Sequence, residues 1–161
     1  MKIVKVDYNS PLYDEVVSCR YYNYLQEGKL RFGETARWSS DKDGSIFAVM
    51  SHYNGLIGTF TLHNYPYNSV YYGIDLPFRG YCEASKLAVD KRYRSARLLR
   101  VIFKEVWAWA RSNKCKHMVL CVDKDKIKLY SRMLGFRVLP NSRFTHPVYK
   151  TRHCVMYLED K

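Results

Sequence analysis

The segment from Tyr81 to Phe136 carries the pattern that most constrains the fold of this chain. A run with strand character, YCEASKLAV, passes through a basic stretch, DKRYRSAR, into a helix with an apolar stripe, LLRVIFKEVWAWA. A short apolar run at 117–122 follows, and then a second predicted helix, KDKIKLYSRML, which stops at Gly135. Strands that alternate with helices in this way predict helices packed on a sheet.

The segments on either side add further strands and one more helix. The first residues, MKIVKVDY, alternate apolar and polar side chains, as a strand does. Ser10 and Pro11 mark the start of a helix that ends at Gly28. The positions expected to face the core recur at helical spacing: Leu12, Val16, Val17, Tyr21 and Leu25. Leu30 to Asp43 is predicted to be a loop that covers a site.

A hairpin and two closing strands complete the predicted order. Asn54-Gly55 lies between two apolar runs and is a strong turn signal. The irregular, tyrosine-rich stretch 63–81 follows the hairpin, and FRVL and HCVMYLE close the chain as strands. The predicted fold class is α/β (α+β), with a mixed central sheet flanked by helices. The length of 161 residues predicts one domain, 1–161.

The charge balance indicates an acidic partner. Lysine and arginine outnumber aspartate and glutamate by 27 to 15, which gives a net charge of +12. The partner of such a basic chain could be nucleic acid, anionic lipid or an acidic protein. The alternative is a basic surface that is solvated and has no special partner. No apolar run approaches the roughly 20 residues of a membrane span, and no signal peptide is recognisable, so the default compartment is the cytoplasm.

The cysteines and histidines do not predict a metal site. The five cysteines are odd in number and show no CxxC spacing, so reduced and mostly buried thiols are expected rather than zinc ligands or disulfides. The five histidines are scattered along the chain without a metal-binding spacing.

The turn before the long helix is a candidate phosphate site. A helix N-terminus concentrates unpaired N–H groups and positive dipole, and it binds anions even without glycine. Here the small residues Ser95 and Ala96 lie between Arg94 and Arg97, which suits one phosphate better than a pyrophosphate. The alternative is an exposed basic helix start without a ligand.

Two further residues could carry acid–base chemistry. Period-2 alternation places Glu83 among Ser85, Leu87 and Val89, where a carboxylate could act as a general base. Tyr130 lies on the apolar side of its helix and could give a proton to a leaving group. The alternatives are a solvent-exposed glutamate on an edge strand and a core tyrosine with a satisfied hydroxyl.

The order of these motifs resembles the Gcn5-related N-acyltransferase (GNAT) superfamily. LAVDKRYRSAR is similar to its strand, donor loop and helix start, and LYSRMLGF to its tyrosine helix. Within that superfamily the chain resembles the long-chain N-acyl amino acid synthases of the FeeM type, which are related to the acyl-homoserine lactone synthases. The matching stretches are EASKLAVD at 83–90, Tyr93-Arg94, Tyr130 to Phe136, the closing RFTHPVYKTRHCVMYLE, and RYYNY at 20–24.

Two positions depart from the family pattern. Asp123 to Lys126 replaces a common Asn-Pro-Arg-His stretch, and Thr61 stands where an arginine is usual after the hairpin Gly-Thr. The resemblance therefore does not fix the acceptor.

The resemblance implies a GNAT-like N-acyltransferase that moves a fatty acyl group from a thioester to the amine of an amino acid or similar small molecule. It implies acyl-phosphopantetheine on an acidic acyl carrier protein, or acyl-CoA, as co-substrate, and no tightly bound cofactor. Glu83 and Tyr130 are implied to be catalytic. The implied donor-binding residues lie on the strand and turn: Ser85, Leu87, Ala88, Val89, Arg94, Ser95, Ala96, Arg97 and Leu98. Arg20, Tyr24 and Phe144 are implied to line the acceptor and acyl pocket.

Two other functions stay open on the sequence. An acetyl-CoA-dependent N-acetyltransferase would share the fold and Tyr130, but it would favour glycines in the donor loop, which this turn lacks. A non-catalytic nucleic-acid-binding module would explain the charge, yet no DNA- or RNA-binding motif is present, so nucleic acid is not the expected partner.

Overall fold

The computed structural model describes residues 1–64, 73–77, 79–147 and 149–160. These residues form two compact units, through which the chain passes more than once. The first unit comprises Met1–Leu62 and Lys86–Ile102, and the second comprises His63–Ser85 and Phe103–Lys161 as far as these ranges are described. The assignment of 1–161 to one domain stays a prediction.

The first unit contains an antiparallel three-stranded arrangement and the first helix. Strand β1 (Lys2–Val6) pairs with β2 (Ser45–Ser51), and β2 pairs with β3 (Gly55–His63) across the predicted Asn54-Gly55 turn. Helix α1 (Pro11–Gln26) packs Tyr13 and Val16 against these strands in a core cluster: Val6, Tyr13, Val16, Ile46 and Ala48.

The buried face of α1 includes polar residues beyond the predicted apolar positions. Val16 is fully buried, Leu12, Val17 and Tyr21 pack against the core clusters, and the helix also buries Arg20 and Asn23. Apolar spacing alone predicts that Arg20 and Asn23 face solvent, because both side chains are polar. Here their side chains are buried because each finds hydrogen-bond partners inside the unit.

The second unit contains a mixed set of strands. Strand β4 (Tyr81–Val89) pairs in parallel with β5 (His117–Asp123), and β5 pairs antiparallel with β8 (Arg152–Glu159). The short strands β6 (Arg137–Val138) and β7 (Phe144–Thr145) also pair with β8. The strand β7 lies between the two predicted closing strands, FRVL and HCVMYLE, where no strand was predicted.

Two helices follow the strands as the sequence predicts. Helix α2 (Ala96–Ser112) follows β4 through the turn 90–95, and α3 (Ile127–Leu134) follows β5 through one turn of 3₁₀ helix at Lys124–Lys126. Gly135 ends α3 with a φ of +78°, a left-handed conformation that glycine adopts without strain. The predicted α/β fold class is confirmed. The stretch 65–72 of the tyrosine-rich segment lies outside the described residues.

Gly58 allows the first unit to bring β3 against the end of β4. A Cβ at this position would lie 3.0 Å from the Ala88 carbonyl oxygen and 3.1 Å from Val89 Cγ2. The neighbouring Ile57 carbonyl accepts the Asp90 N–H at 2.9 Å, so the two backbones are held in place.

The variant Gly58→Ala is expected to be less stable than the wild type by about 1–3 kcal/mol, because the added methyl group forces a backbone shift in a packed region. Urea denaturation of both proteins measures this difference. Equal denaturation midpoints and slopes would show that the strands can separate at no cost.

All five cysteines are free thiols with pKa values raised by burial. Cys82, Cys115 and Cys154 are buried, and Cys19 and Cys121 are partly buried. Burial raises the pKa of Cys19 to about 11 and raises the pKa of each of the other four thiols above its ordinary value.

No helix in the described ranges combines the length and the apolar character needed to cross a membrane.

Candidate active site

Asp41 lies at the centre of a buried ionic cluster in the first unit. Its Oδ2 accepts hydrogen bonds from Arg20 Nη1 at 2.8 Å and from the Tyr13 hydroxyl at 2.7 Å. Its Oδ1 accepts from Lys86 Nζ at 3.0 Å. Arg20 Nη2 donates to Thr61 Oγ1 at 2.7 Å. The side chains of Arg20 and Asp41 have no solvent exposure, so this is a desolvated ion pair with a second cation.

The two cations keep Asp41 ionised. Burial by itself would raise the pKa of Asp41, but the charges of Arg20 and Lys86 outweigh burial and lower it. The Trp38 ring lies 5.6 Å from the Arg20 guanidinium carbon and 5.6 Å from Lys86 Nζ, which adds cation–π attraction. The cluster therefore stays charged at neutral pH.

Sequence reasoning found only one member of this cluster. Arg20 was assigned to the acceptor pocket, whereas the structure gives both of its terminal nitrogens to Asp41 and Thr61. Asp41 and Lys86 were not singled out. No local sequence pattern connects Asp41 with Arg20 and Lys86, which lie 21 and 45 positions away.

Lys86 interrupts the extended backbone of β4. Its φ is +54°, a left-handed conformation that is uncommon for residues other than glycine. Its Nζ donates to Ser40 Oγ at 2.6 Å as well as to Asp41. The predicted period-2 alternation along this strand is therefore interrupted at Lys86. The adjacent Cys82 and Glu83 are both buried, and the Ser85 hydroxyl is buried with no hydrogen-bond partner among the described residues.

Glu83 is fully buried in the second unit. It stands opposite Val119 in the parallel register of β4 and β5, and its exposed fraction is 0%. The alternative of a solvent-exposed glutamate is excluded by this burial. The charge of Glu83 adds to burial in raising the pKa of Cys121, which shows that the two side chains are electrostatic neighbours.

Tyr130 lies in an aromatic group of the second unit. Its ring meets Phe103 edge-on at a centroid distance of 5.9 Å and Phe136 at 6.3 Å. Phe103 and Phe136 are buried and contact each other at 5.6 Å, while Tyr130 keeps part of its surface exposed. This packing fixes the plane of the tyrosine ring and leaves access to the side chain.

The basic turn of the first unit is held by Arg94. Its Nε donates to the Val89 carbonyl at 2.8 Å, and its Nη2 donates to Asn23 Oδ1 at 3.2 Å and pairs with Glu27 Oε1 at 2.6 Å. The guanidinium group predicted to meet a phosphate thus already joins the turn to the end of α1.

The start of α2 is capped by Ser95. Its Oγ accepts the Leu98 N–H at 3.1 Å, and Leu98 itself is buried. Ala96 and Arg97 are exposed. Leu87 is partly buried and Ala88 is fully buried.

The remaining pocket candidates lie in separate apolar clusters. Tyr24 packs with Leu30, Ala36 and Ala88 in the first unit, and its ring lies 5.9 Å from that of Trp38. In the second unit Phe144 packs against a cluster of three buried side chains: Val119, Leu139 and Val155. No group of three or more His, Cys, Asp or Glu side chains in the described ranges could hold a metal ion.

The family model of the N-acyl amino acid synthase FeeM matches residues 15–159. The chain belongs to this family. The match includes α1 from Glu15 onward, Asp41, Glu83, the basic turn and Tyr130. Membership of the FeeM family makes the protein an N-acyltransferase.

Solved structures show the same fold at low sequence identity. The structure of FeeM, an N-acyl amino acid synthase from uncultured soil microbes, superposes with a TM-score of 0.76 at 14% identity, covering 99% of this chain and 95% of that one. TofI in a ternary complex with an inhibitor and MTA gives a TM-score of 0.73 at 12% identity, over 99% and 91% of the chains. An aminoglycoside 6'-N-acetyltransferase complexed with coenzyme A gives 0.67 at 12% identity, over 99% and 97%.

These likenesses place the FeeM-family chain in the GNAT fold, as the sequence predicted. Comparison with the curated proteins gives no match.

Proposed function

We propose that this protein transfers a fatty acyl group from the thioester of an acyl carrier protein to the amine of an amino acid or a similar small amine. The observation that carries the proposal is membership of the N-acyl amino acid synthase family over residues 15–159. The net charge of +12 supports an acidic carrier protein as the molecule that carries the acyl group.

Glu83 is proposed to be the general base. An amine attacks a thioester only in its neutral form, so the ammonium group must first lose a proton. A fully buried carboxylate is shielded from bulk water and can accept that proton directly or through one water molecule. The amine nitrogen then bonds to the thioester carbonyl carbon and releases a second proton to solvent, and the carbon–sulfur bond breaks.

Tyr130 is proposed to be the general acid. The departing thiolate of the phosphopantetheine arm needs a proton, and a tyrosine hydroxyl can supply one. The ring of Tyr130 is fixed by Phe103 and Phe136, so its hydroxyl is held in one place for this transfer.

The donor is proposed to bind along the end of β4 and at the start of α2. The Ser85 hydroxyl, which lacks a partner among the described residues, is suited to a donor amide. Leu87 and Ala88 supply backbone for pairing with the pantetheine amides. Arg97 is exposed and suited to the phosphate, while Arg94 holds the turn.

The acceptor side is proposed to involve residues with different tasks. Arg20 is enclosed by its own contacts, so its role is to hold Asp41 in position. Tyr24 and Phe144 are proposed to contact the acceptor or the acyl chain. Acyl-CoA is the alternative donor, and no tightly bound cofactor is needed for this chemistry.

The test is an acyl-transfer assay with purified protein. Short, medium and long acyl groups are supplied either on an acyl carrier protein or on coenzyme A, together with a mixture of amino acids, and the products are read by mass spectrometry. N-acyl amino acids formed from the carrier-protein thioesters are the expected products. Acetylation from acetyl-CoA alone would instead identify an N-acetyltransferase, and the absence of any amide from every donor would contradict acyl transfer to small amines.

A further inference from the structure

An ordered turn follows α1 in the first unit. The Lys29 and Leu30 N–H groups donate to the Tyr24 carbonyl at 2.8 and 3.3 Å. The Arg31 N–H donates to Glu34 Oε2 at 2.7 Å, and the Glu34 N–H donates back to the Arg31 carbonyl at 3.2 Å. Reciprocal hydrogen bonds of this kind fix the backbone between Arg31 and Glu34, so the tip of the turn has a defined conformation.

The turn presents Phe32 to solvent. Leu30 and Ala36, on either side of the tip, are buried in the cluster that includes Tyr24 and Ala88. Phe32 itself is 90% exposed. Because the flanks are anchored and the tip is hydrogen-bonded, the exposure of this ring is a property of a folded turn. A rigid exposed aromatic side chain is typical of residues that anchor a protein–protein contact.

Two cations that share the Glu27 carboxylate lie at the base of this turn. Lys29 Nζ pairs with Glu27 Oε2 at 2.7 Å, and Arg94 pairs with the other oxygen of the same carboxylate at 2.6 Å. Glu27 therefore joins the Phe32 turn to the basic turn that begins α2. Five lysine or arginine residues stand against Asp90 alone in the stretch 90–102 of the first unit, so the charge here favours an acidic partner.

We propose that Lys29, Arg31, Phe32 and Arg94 form a docking surface for the acidic carrier protein. This inference rests on the proposed donor. Phe32 fills an apolar depression on the carrier, and the surrounding cations steer the encounter and set its salt dependence. Ala88 of the proposed donor strand packs against the base of the turn, so a carrier bound here stands beside the entry of its own phosphopantetheine arm.

The test compares Phe32→Ser with Tyr53→Ser. Tyr53 is a matched control, because it is an equally exposed aromatic residue, at 94%, on the turn between β2 and β3. Each variant is assayed with an acyl carrier protein thioester and with the same acyl group on free pantetheine. Binding of carrier protein that bears no acyl group is measured in parallel by fluorescence anisotropy.

For Phe32→Ser we expect the KM for the carrier-borne donor and the Kd for the carrier to rise about tenfold, with kcat unchanged. The KM for acyl-pantetheine and the melting temperature stay at the wild-type values. Tyr53→Ser leaves all of these quantities unchanged, and added salt weakens carrier binding by the wild type.

Several outcomes would overturn the docking surface. An equal rise of KM for both donors places Phe32 in the acyl-transfer site, and unchanged carrier binding removes it from the contact. The wild type could also bind vesicles of anionic phospholipid. If Phe32→Ser abolished that binding and left carrier binding intact, the ring would be assigned to a membrane surface. Wild-type protein that binds the carrier but forms no amide from its thioester contradicts the proposed function alone.

Discussion

The variant Asp41→Asn is expected to lose about 3–5 kcal/mol of unfolding free energy, because it leaves two buried cations without their carboxylate. Arg20 has no solvent exposure and Lys86 very little, so water cannot replace the lost charge. The substitution keeps the size and shape of the side chain, which limits the effect to the charge and its hydrogen bonds. Urea denaturation at neutral pH measures the loss.

The pH dependence of this loss identifies its cause. The pKa of Asp41 is lowered in the folded protein, so its contribution is complete above the ordinary aspartate pKa of about 3.9. That contribution disappears as the pH falls through the lowered pKa. The stability difference between wild type and variant is therefore constant down to about pH 5 and shrinks in stronger acid.

Asp43→Asn is the matched control, since this carboxylate is exposed two residues further along the chain. Its stability is expected to stay within about 0.5 kcal/mol of the wild type. If Asp41→Asn matched that control, the buried cluster would have no net role in stability.

The second large effect is expected at Glu83. The variant Glu83→Gln keeps the shape of the side chain but cannot accept a proton, so kcat should fall by about 10²–10⁴. The KM for the acyl donor should change little. Raising the pH supplies more neutral amine without help from the protein, so the variant should recover part of its activity in alkaline buffer.

Glu105→Gln removes an exposed carboxylate from α2 and serves as the control for Glu83. Its kcat and pH profile should equal those of the wild type. Wild-type turnover in Glu83→Gln would exclude the general-base role. A loss that alkaline buffer does not relieve would point to a structural role for this residue.

The order of strands and helices could be predicted from the sequence. Apolar periodicity distinguishes the strand at 81–89 from the helix that follows it, and Asn54-Gly55 and Gly135 mark a turn and a helix end by their backbone preferences. These are local signals, carried by residues within one or two turns of each other. The family resemblance rested on the same local stretches and was confirmed.

The buried ionic cluster could not be predicted in the same way. Asp41 contacts residues 21 and 45 positions away, and no local pattern reports contacts of that length. The apolar spacing of α1 also did not predict the burial of Arg20, because that burial depends on partners far away in the sequence. The left-handed backbone at Lys86 could not be predicted either, since it occurs without glycine.

The free cysteines have a practical consequence for spectroscopy. With a pKa of about 11, Cys19 is a reactive thiolate in only about one molecule in ten thousand at pH 7, and burial disfavours the thiolate of the other four as well. A maleimide dye would therefore react with a new cysteine on the surface much faster than with these five. A single dye placed at Tyr53 could follow carrier binding in the otherwise native protein.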